Sequence, residues 1–395
     1  MRHPWSGLGS LPRGIWILFS VSLVNRMGTM FLPFLVLYLT RHLGLTPGRA
    51  ASMLALYGLV GIAVAPVAGR LADRWGAERI MKLSLFSSGT LLVFFPFVRS
   101  FAGVAALTAA IALTAESFRP ANMSLATHVV APADRKAAFS LLRLAINLGM
   151  SVGPAAGGFL AAISFPALFR VDGATSILAG LVLVAWPVGK GAIAAPDDSP
   201  EPARAHPLST ALADRRFVFF LLALLPVIFV FFQHIAALPL FLVRDLGRSE
   251  STFGLLFTLN TLLVVLFEVP INLRMAGVSH GKALFSGSLL VAAGFGLYGI
   301  PGGLPVVVLG TVVWSFGEMV LLPGLSSFVA EVAPPALRGT YMGLYSMTFS
   351  VGFALAPWLG ATLLERAGAT ILWISMFVLG SLSAVLLARA RVAVK

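Results

Sequence analysis

Apolar residues occur along the chain in long runs that are separated by short clusters of charge, proline and glycine. About 20 apolar residues in a helix span the hydrocarbon core of a bilayer. The runs lack the polar-apolar alternation of membrane barrel strands, and a backbone in lipid must satisfy its own hydrogen bonds, so we predict helices. The twelve predicted spans are 14–40, 49–69, 80–98, 102–129, 137–164, 166–188, 216–242, 251–273, 282–301, 305–330, 338–365 and 369–389.

One long polar stretch interrupts this pattern after the sixth run. Residues 189–215 carry four prolines among acidic and basic side chains, which is typical of a flexible linker. We therefore predict an N-terminal six-helix bundle at 1–188, a cytoplasmic linker at 189–215 and a C-terminal six-helix bundle at 216–395.

The two halves also repeat each other in sequence. Glu116 and Glu318 are 202 residues apart, and Gly149 recurs as Gly352 at an offset of 203. The predicted fold class is an all-α integral membrane protein with twelve transmembrane helices in two six-helix repeats related by pseudo-two-fold symmetry. Repeats of this kind are typical of transporters that hold substrate between the halves near mid-membrane.

Composition and charge support a membrane location. Of the 395 residues 58% are hydrophobic and 11% charged, which excludes an ordinary soluble domain. The net charge of +13 lies in segments between apolar runs, so we expect contact with membrane lipid and no nucleic acid. Most basic residues share the side of the linker, which places both termini in the cytoplasm, and we expect a monomer in a bacterial inner (plasma) membrane. The chain has no cysteine, which excludes disulfides and thiolate metal sites.

The loop between the second and third runs, residues 69–79, has glycines that are expected to allow a tight turn. Asp73 is placed to accept a hydrogen bond from arginine or from a helix N-terminus. This loop resembles the signature loop of the major facilitator superfamily, in which the matching acid and arginine latch the two halves in the outward-facing state. The resemblance gives a latch role to Asp73 and Arg74, framed by Gly69 and Gly76. The second half lacks the acid at the equivalent place, so we expect a one-sided latch.

The fifth run contains a series of small residues. Gly149, Gly153 and Gly157 recur every fourth position and lie on one helix face, where another backbone can approach. Pro154 bends the helix, and Gly158 follows the series. The spacing alone indicates close packing. The string is also similar to the motif of the antiporter branch of the same superfamily, the drug:proton antiporters, and this resemblance favours export over uptake.

The first half places Arg26, Glu116, Arg119 and Arg143 inside apolar runs, where an ionisable side chain needs a partner or water. Glu116 and Arg119 are one helical turn apart and are expected to pair, with Arg26 as a competing partner. The pair either fixes packing or meets substrate. Two arginines would remain, and they would favour an anionic group on the substrate. The fourth run lacks the Gln-Gly sequence that usually follows this arginine in drug antiporters.

The second half carries Glu268, Glu318 and His234 in its runs, with no Lys or Arg except at the run ends. Burial without a nearby cation favours the neutral form of a carboxyl group, so both acids are candidate proton carriers, as is Glu116. Glu318 is the preferred candidate because it lies in mid-span. Glu268 precedes Pro270 near the cytoplasmic end, where a capping or snorkelling role is the alternative. His234 is either a packing residue or a proton relay.

Further polar and aromatic side chains lie at a depth suited to a cavity. The predicted substrate-binding residues are Arg26, Arg119, Arg143, Asn25, Asn147, Gln233, His234 and Trp314. No phosphate-binding loop, metal-ligand pattern or catalytic triad is recognisable, so we expect no metal, no catalytic residue and no cofactor, with the proton gradient as energy source. The hypothesis is a proton-coupled exporter of amphipathic small molecules that works by alternating access. The alternatives are uptake or flipping of an organic anion or lipid-like solute, or an intramembrane enzyme.

Overall fold

The computed structural model of the chain describes residues 11–131, 134–188, 207–275, 277–334 and 337–389. At positions 65, 73, 135–137, 140 and 207 it describes the backbone and not the side chain. Within the described ranges the regular elements are helices. Contacts divide the chain into two compact units, one of Met1–Tyr38 and Leu56–Asp198, the other of Leu39–Ala55 and Ser199–Lys395.

The helices of the first half follow the six predicted runs, with breaks inside two of them. They are α1 Arg13–Met27, α2 Phe31–His42, α3 Pro47–Trp75, α4 Ala77–Phe94, α5 Phe101–Ala115, α6 Phe118–Val129, α7 Arg135–Ile163 and α8 Phe165–Ala185. The break between α1 and α2 lies inside the first run, and the break between α5 and α6 lies at Glu116 and Ser117. Breaks at membrane depth expose backbone groups that other side chains must satisfy.

The second half repeats this arrangement. Its helices are α9 Pro207–Ala213, α10 Arg215–Phe231, α11 Ala237–Leu240, α12 Glu250–Met275, α13 His280–Leu297, α14 Gly303–Val332 and α15 Arg338–Ala388. The seventh run is broken between α10 and α11, and α15 changes direction at Gly368, where φ is 82°. In the part of the chain that the structure describes, ten helical stretches are long and apolar enough to cross a membrane, and one of these, α15, contains the eleventh run and nearly all of the twelfth. With α13 in the ninth run, the chain is an all-α membrane protein whose helix order is consistent with twelve helices in two repeats.

Part of the predicted linker is helical. Helix α9 packs on α10 and α15, and its Ala211 is fully buried. Asp214 then caps α10 by accepting hydrogen bonds from the amides of Arg216, at 3.0 Å, and Phe217, at 3.2 Å. The prediction of a flexible linker is therefore wrong for residues 207–213, because this packing orders them. Residues 189–206 lie outside the described ranges.

The second unit also contains the end of α2 and the start of α3. Arg41 forms an ion pair with Glu250 at the first position of α12, where Glu250 is buried. The amide of Gly48 donates a 2.8 Å hydrogen bond to Oε2 of Glu365. The predicted bounds assign residues 39–55 to the N-terminal bundle, whereas the contacts group these residues with the second unit. The domain bounds stay a prediction.

The loop motif occupies the end of α3 and the turn into α4. Gly76 has a φ of 91°, which favours glycine, and it makes the turn. The expectation that Gly69 allows the turn is wrong, because α3 continues to Trp75 and encloses Gly69, beside which a Cβ would find open space. Arg74 is exposed in the last turn of α3. Asp73 lies in the same turn, and its side chain is outside the described part of the chain.

Small residues let the fifth and eleventh runs approach the first and seventh runs. A Cβ on Gly149 would lie 2.9 Å from the carbonyl carbon of Arg26, and a Cβ on Gly352 would collide with the side chain of Ile228. The two glycines are 203 positions apart, and Arg26 and Ile228 are 202 apart. The sequence repeat therefore corresponds to the same packing contact inside each unit.

Candidate functional site

A polar cavity of about 90 Å³ lies inside the first unit. Helices α1 to α6 and α8 contribute to its lining, together with the break at Glu116. Its volume is that of about three liquid water molecules. The ionisable and amide side chains in the lining are Asn25, Arg26, Tyr57, Glu116, Arg119 and Asp172.

Glu116 is half-buried at the end of α5 and is held by a neutral donor. The hydroxyl of Tyr57 donates to its Oε1 at 2.9 Å. The predicted ion pair of Glu116 with Arg119 or Arg26 is absent among the residues that the structure describes. That expectation assumed a continuous helix. The break after Glu116 removes the regular one-turn relation, and Arg119 is exposed on α6.

Asp172 on α8 is a site residue that the sequence analysis did not single out. Its side chain is buried, with a residue exposure of 5%, and its Oδ2 accepts hydrogen bonds from the amides of Met30, at 3.0 Å, and Phe31, at 2.8 Å. A lone acid in the sixth apolar run was the available signal. With Asp172 counted beside Glu116, the three embedded arginines of the first half leave an excess of one positive charge rather than two.

The remaining polar candidates of the first half divide between the cavity and other positions. The amide of Asn25 donates to Oγ of Ser176 at 3.3 Å inside the cavity lining. Arg143 is exposed and Asn147 half-buried on α7, and neither lines this cavity. The structure therefore brings Asn25, Arg26 and Arg119 together, and the substrate role of Arg143 and Asn147 stays a prediction.

The second unit holds the preferred proton-carrier candidate. Glu318 is half-buried on α14, and Nδ2 of Asn260 on α12 donates to its Oε2 at 3.0 Å and to Oγ of Ser315 at 2.9 Å. Among the described residues Glu318 forms no ion pair. Tyr57 and Asn260 are 203 positions apart, and Glu116 and Glu318 are 202 apart. In each half, a neutral donor on the second apolar run therefore donates to the equivalent acid.

Glu268 lies on α12, two turns beyond Asn260, and is half-buried. Its carboxyl group is close enough to that of Glu318 for the two to interact electrostatically. Its own carbonyl accepts a 2.8 Å hydrogen bond from Asn272. The two acids thus lie on adjacent helices, and the coupling role of Glu268 stays a prediction.

Three predicted substrate contacts of the second half occur in a packed aromatic and amide region. Gln233 is fully buried and donates to the carbonyls of Phe229 and Ala356, both at 3.0 Å. The ring of His234 stacks on Trp314, with centroids 5.9 Å apart, and its Nδ1 lies 2.6 Å from the carbonyl oxygen of Phe231. Trp314 is buried. These contacts favour packing roles for the three side chains.

Metal binding has no support in the described part of the chain. Its His, Asp and Glu side chains form no group of three or more that could hold a metal ion. The described carboxyl groups of Glu116 and Glu318 thus lie beside neutral donors, and two arginines, Arg26 and Arg119, line the cavity of the first unit.

Comparisons with known proteins identify the family of the chain. The family model for the Major Facilitator Superfamily matches residues 17–243 and 221–394. The chain is 26% identical over 362 residues to YqjV, an MFS-type transporter of Bacillus subtilis, covering 90% of this chain and 87% of that protein. It is 23% identical to a Na⁺, Li⁺, K⁺/H⁺ antiporter of Planococcus maritimus, covering 85% of each. It is 25% identical to the multidrug resistance protein MdtH of Aeromonas hydrophila, covering 86% of this chain and 84% of that protein.

Solved structures show the same fold. A POT family transporter in complex with 5-aminolevulinic acid superimposes with a TM-score of 0.75 and 18% identity, covering 95% of both chains. The family model covers nearly the whole chain, which excludes the intramembrane-enzyme alternative. The chain belongs to the Major Facilitator Superfamily and is an integral membrane transporter.

Proposed function

We propose that the chain is a proton-coupled secondary transporter that exports amphipathic small molecules by alternating access. The proton is its coupling ion, and no cofactor takes part. It acts as a monomer in a bacterial inner membrane, with both termini in the cytoplasm. The names of two relatives support this proposal, since one is a cation/H⁺ antiporter and another a multidrug resistance protein.

The observation that carries the proposal is the environment of Glu318. A carboxyl group that is locked in an ion pair must break that pair before it takes up a proton. Glu318 instead accepts from the neutral amide of Asn260, and this hydrogen bond is compatible with both protonation states. A carboxyl of this kind couples a proton to a conformational change if the two conformations hydrate it differently. Glu116, held by Tyr57, is the equivalent group of the first unit.

Vesicles that contain the purified protein and an internal pH-sensitive dye provide the test. A gradient of each compound from a panel of amphipathic cations, organic anions and lysolipids is imposed across the membrane. We expect at least one amphipathic compound to drive proton movement in the opposite direction. Transport of a compound with no change in internal pH would contradict proton coupling, and proton movement in the same direction as the compound would contradict antiport.

An organic anion is the second candidate substrate, favoured by the two arginines that line the first-unit cavity. If the substrate is anionic, Arg26→Ala is expected to weaken its binding by about 10-fold to 100-fold, because a charge-assisted hydrogen bond contributes about 1.5 to 3 kcal/mol. Arg170→Ala is the matched comparison, because Arg170 is exposed near the start of α8 and lies outside the cavity lining. Thermal-shift titration with the compounds active in vesicles measures both affinities. Unchanged affinity in Arg26→Ala would exclude this candidate.

The donor to Glu116 gives a further prediction. Tyr57→Phe removes the 2.9 Å hydrogen bond and keeps the ring, which packs near Phe31. We expect proton-coupled transport to fall by about 10-fold, which corresponds to the loss of about 1.5 kcal/mol from a hydrogen bond to a charged group. Initial rates in vesicles over a pH series measure it. A rate and pH profile equal to those of the unchanged protein would show that Glu116 needs no partner.

A further inference from the structure

The first run is interrupted at mid-length, and Asp172 satisfies the interruption. Helix α1 ends at Met27 and α2 begins at Phe31, so the first amides of α2 have no partner inside their own helix. Oδ2 of Asp172 accepts from the first of these amides, that of Phe31, and from the amide of Met30 just before the helix. A carboxylate at a helix N-terminus is favoured by the backbone dipoles as well as by the hydrogen bonds.

The interruption is packed from two sides. A Cβ on Gly153 of α7 would lie 3.1 to 3.2 Å from the carbonyl oxygens of Arg26, Met27 and Thr29. Gly28 lies so close to Thr175 of α8 that a Cβ there would collide with the threonine side chain. Small residues on α7 and in the break therefore allow the helices to pack closely around the bend. Asp172 accepts the hydrogen bonds of the two backbone amides at the start of α2.

The same interruption sets the position of two cavity residues. Asn25 and Arg26 belong to the last turn of α1 and line the cavity beside Asp172. Arg26 acts electrostatically on Asp172 and, together with Asp172, on Tyr57. The ionisable groups that line this cavity with Asp172 are Arg26 of α1, Tyr57 of α3, Glu116 at the end of α5 and Arg119 of α6, whereas α4 contributes only uncharged side chains.

The second unit has the corresponding break and lacks the acid. The position 203 residues after Asp172 is Ser375. At the break after α10, the neutral side chain of Gln233 bridges the carbonyls of Phe229 on α10 and Ala356 on α15. Both repeats thus have the interruption, and of the two equivalent positions only Asp172 in the first repeat carries a carboxylate. The break of the first unit therefore depends on a carboxylate, whereas the break of the second unit has Gln233 and the ring of His234, whose Nδ1 lies 2.6 Å from the carbonyl oxygen of Phe231.

We propose that Asp172 is a positioning residue for transport, whose negative charge holds the break that presents Asn25 and Arg26 to the cavity. Neutralising the carboxylate, by a proton or by substitution, loosens the start of α2. The link to transport rests on the proposed function, whereas the loosening is a property of the fold and is measurable without any substrate.

Hydrogen exchange in the purified protein tests the proposal. Peptides that cover residues 28–34 report the amides of Met30 and Phe31, after correction for the intrinsic pH dependence of exchange. In the unchanged protein we expect full protection where the carboxylate is ionised and about a tenfold loss as the pH falls through its titration, which is the size of a charge-assisted hydrogen bond. In Asp172→Asn, which keeps the shape of the side chain, we expect the low protection at every pH.

Peptides from residues 104–112 of α5 are the internal control, because these residues lie within one continuous helix and carry no titratable side chain, so they should show no such step. Ser375→Ala is the matched control variant. Protection of residues 28–34 that is independent of pH in the unchanged protein would overturn the proposal, even if Asp172→Asn does not fold. Equal protection of residues 28–34 in the unchanged protein and in Asp172→Asn would also overturn the proposal. Neither result depends on whether the chain transports protons.

Discussion

Replacing Glu318 with glutamine is expected to abolish substrate-driven proton movement while leaving substrate binding in place. Glutamine keeps the size of the side chain, and its carbonyl oxygen accepts the hydrogen bond from Asn260 that Oε2 accepts at 3.0 Å. It carries no titratable proton. We expect the coupled rate to fall on the order of a hundredfold or more, which is the usual contribution of a positioned proton-transfer group. The measurement is the initial rate of internal pH change in vesicles under a substrate gradient.

Glu331→Gln is the matched control on the same helix. Glu331 is exposed near the end of α14 and lies 3.5 Å from His280, so its loss removes a surface contact alone. Surface ion pairs contribute about 0 to 1 kcal/mol, and we expect the rate to stay within about twofold. Binding of substrate to detergent-solubilised protein should release protons in the unchanged protein and in Glu331→Gln. Proton release that persists undiminished in Glu318→Gln would remove Glu318 from the coupling mechanism.

The two equivalent acids, Glu318 and Glu116, differ in their surroundings. Glu318 has an amide donor from Asn260 and lies in a unit whose described spans place no arginine beside it. Glu116 has a phenol donor from Tyr57 and shares its cavity with Arg26. A cation stabilises the ionised form of a nearby carboxyl group, so we expect Glu318 to be the group that exchanges the proton. Glu116 shares the cavity lining with two arginines without forming an ion pair with either of them.

The helix layout was predictable from the sequence because lipid imposes it. A span in hydrocarbon must be helical, so length and hydropathy alone locate the twelve runs, and the repeat of Glu116 in Glu318 indicates two equivalent halves. The breaks in those runs were not predictable in the same way. The break between α1 and α2 is satisfied by a partner from a distant part of the chain, since Asp172 accepts from the amides of Met30 and Phe31 across about 140 positions.

Errors at the candidate site have the same origin. The expected ion pair between Glu116 and Arg119 followed from helical spacing, and the break at Glu116 invalidates that spacing. The glycine series of the fifth run carried a correct local signal, since small residues every fourth position admit another backbone. It could not indicate that the backbone admitted is an interrupted helix. Local patterns therefore identified which residues matter more reliably than which residues meet.

Gly149→Ala is expected to destabilise the protein by about 1 to 3 kcal/mol, the usual cost of overpacking a filled interior. The added Cβ would lie 2.9 Å from the carbonyl carbon of Arg26 and from the amide nitrogen of Met27. These are backbone atoms, so α7 must move away from α1. Gly343→Ala is the matched control in α15, where a Cβ meets nothing within 4 Å. Alanine there should be neutral or stabilising by up to about 1 kcal/mol, because glycine is the poorer helix former.

Equilibrium unfolding in mixed detergent micelles measures both free energies, and equal shifts in the two variants would contradict the packing argument. Gly352→Ala, in the equivalent contact of the second unit, refines the test. Its Cβ meets the side chain of Ile228, which is able to change rotamer, so we expect a smaller cost than at Gly149. A loss of unfolding free energy that is largest for Gly149→Ala, smaller for Gly352→Ala and smallest for Gly343→Ala would show that the rigidity of the opposing atoms determines the penalty. Since Gly149 presses on the last turn of α1, its substitution should also reduce the protection of residues 28–34 that Asp172 provides.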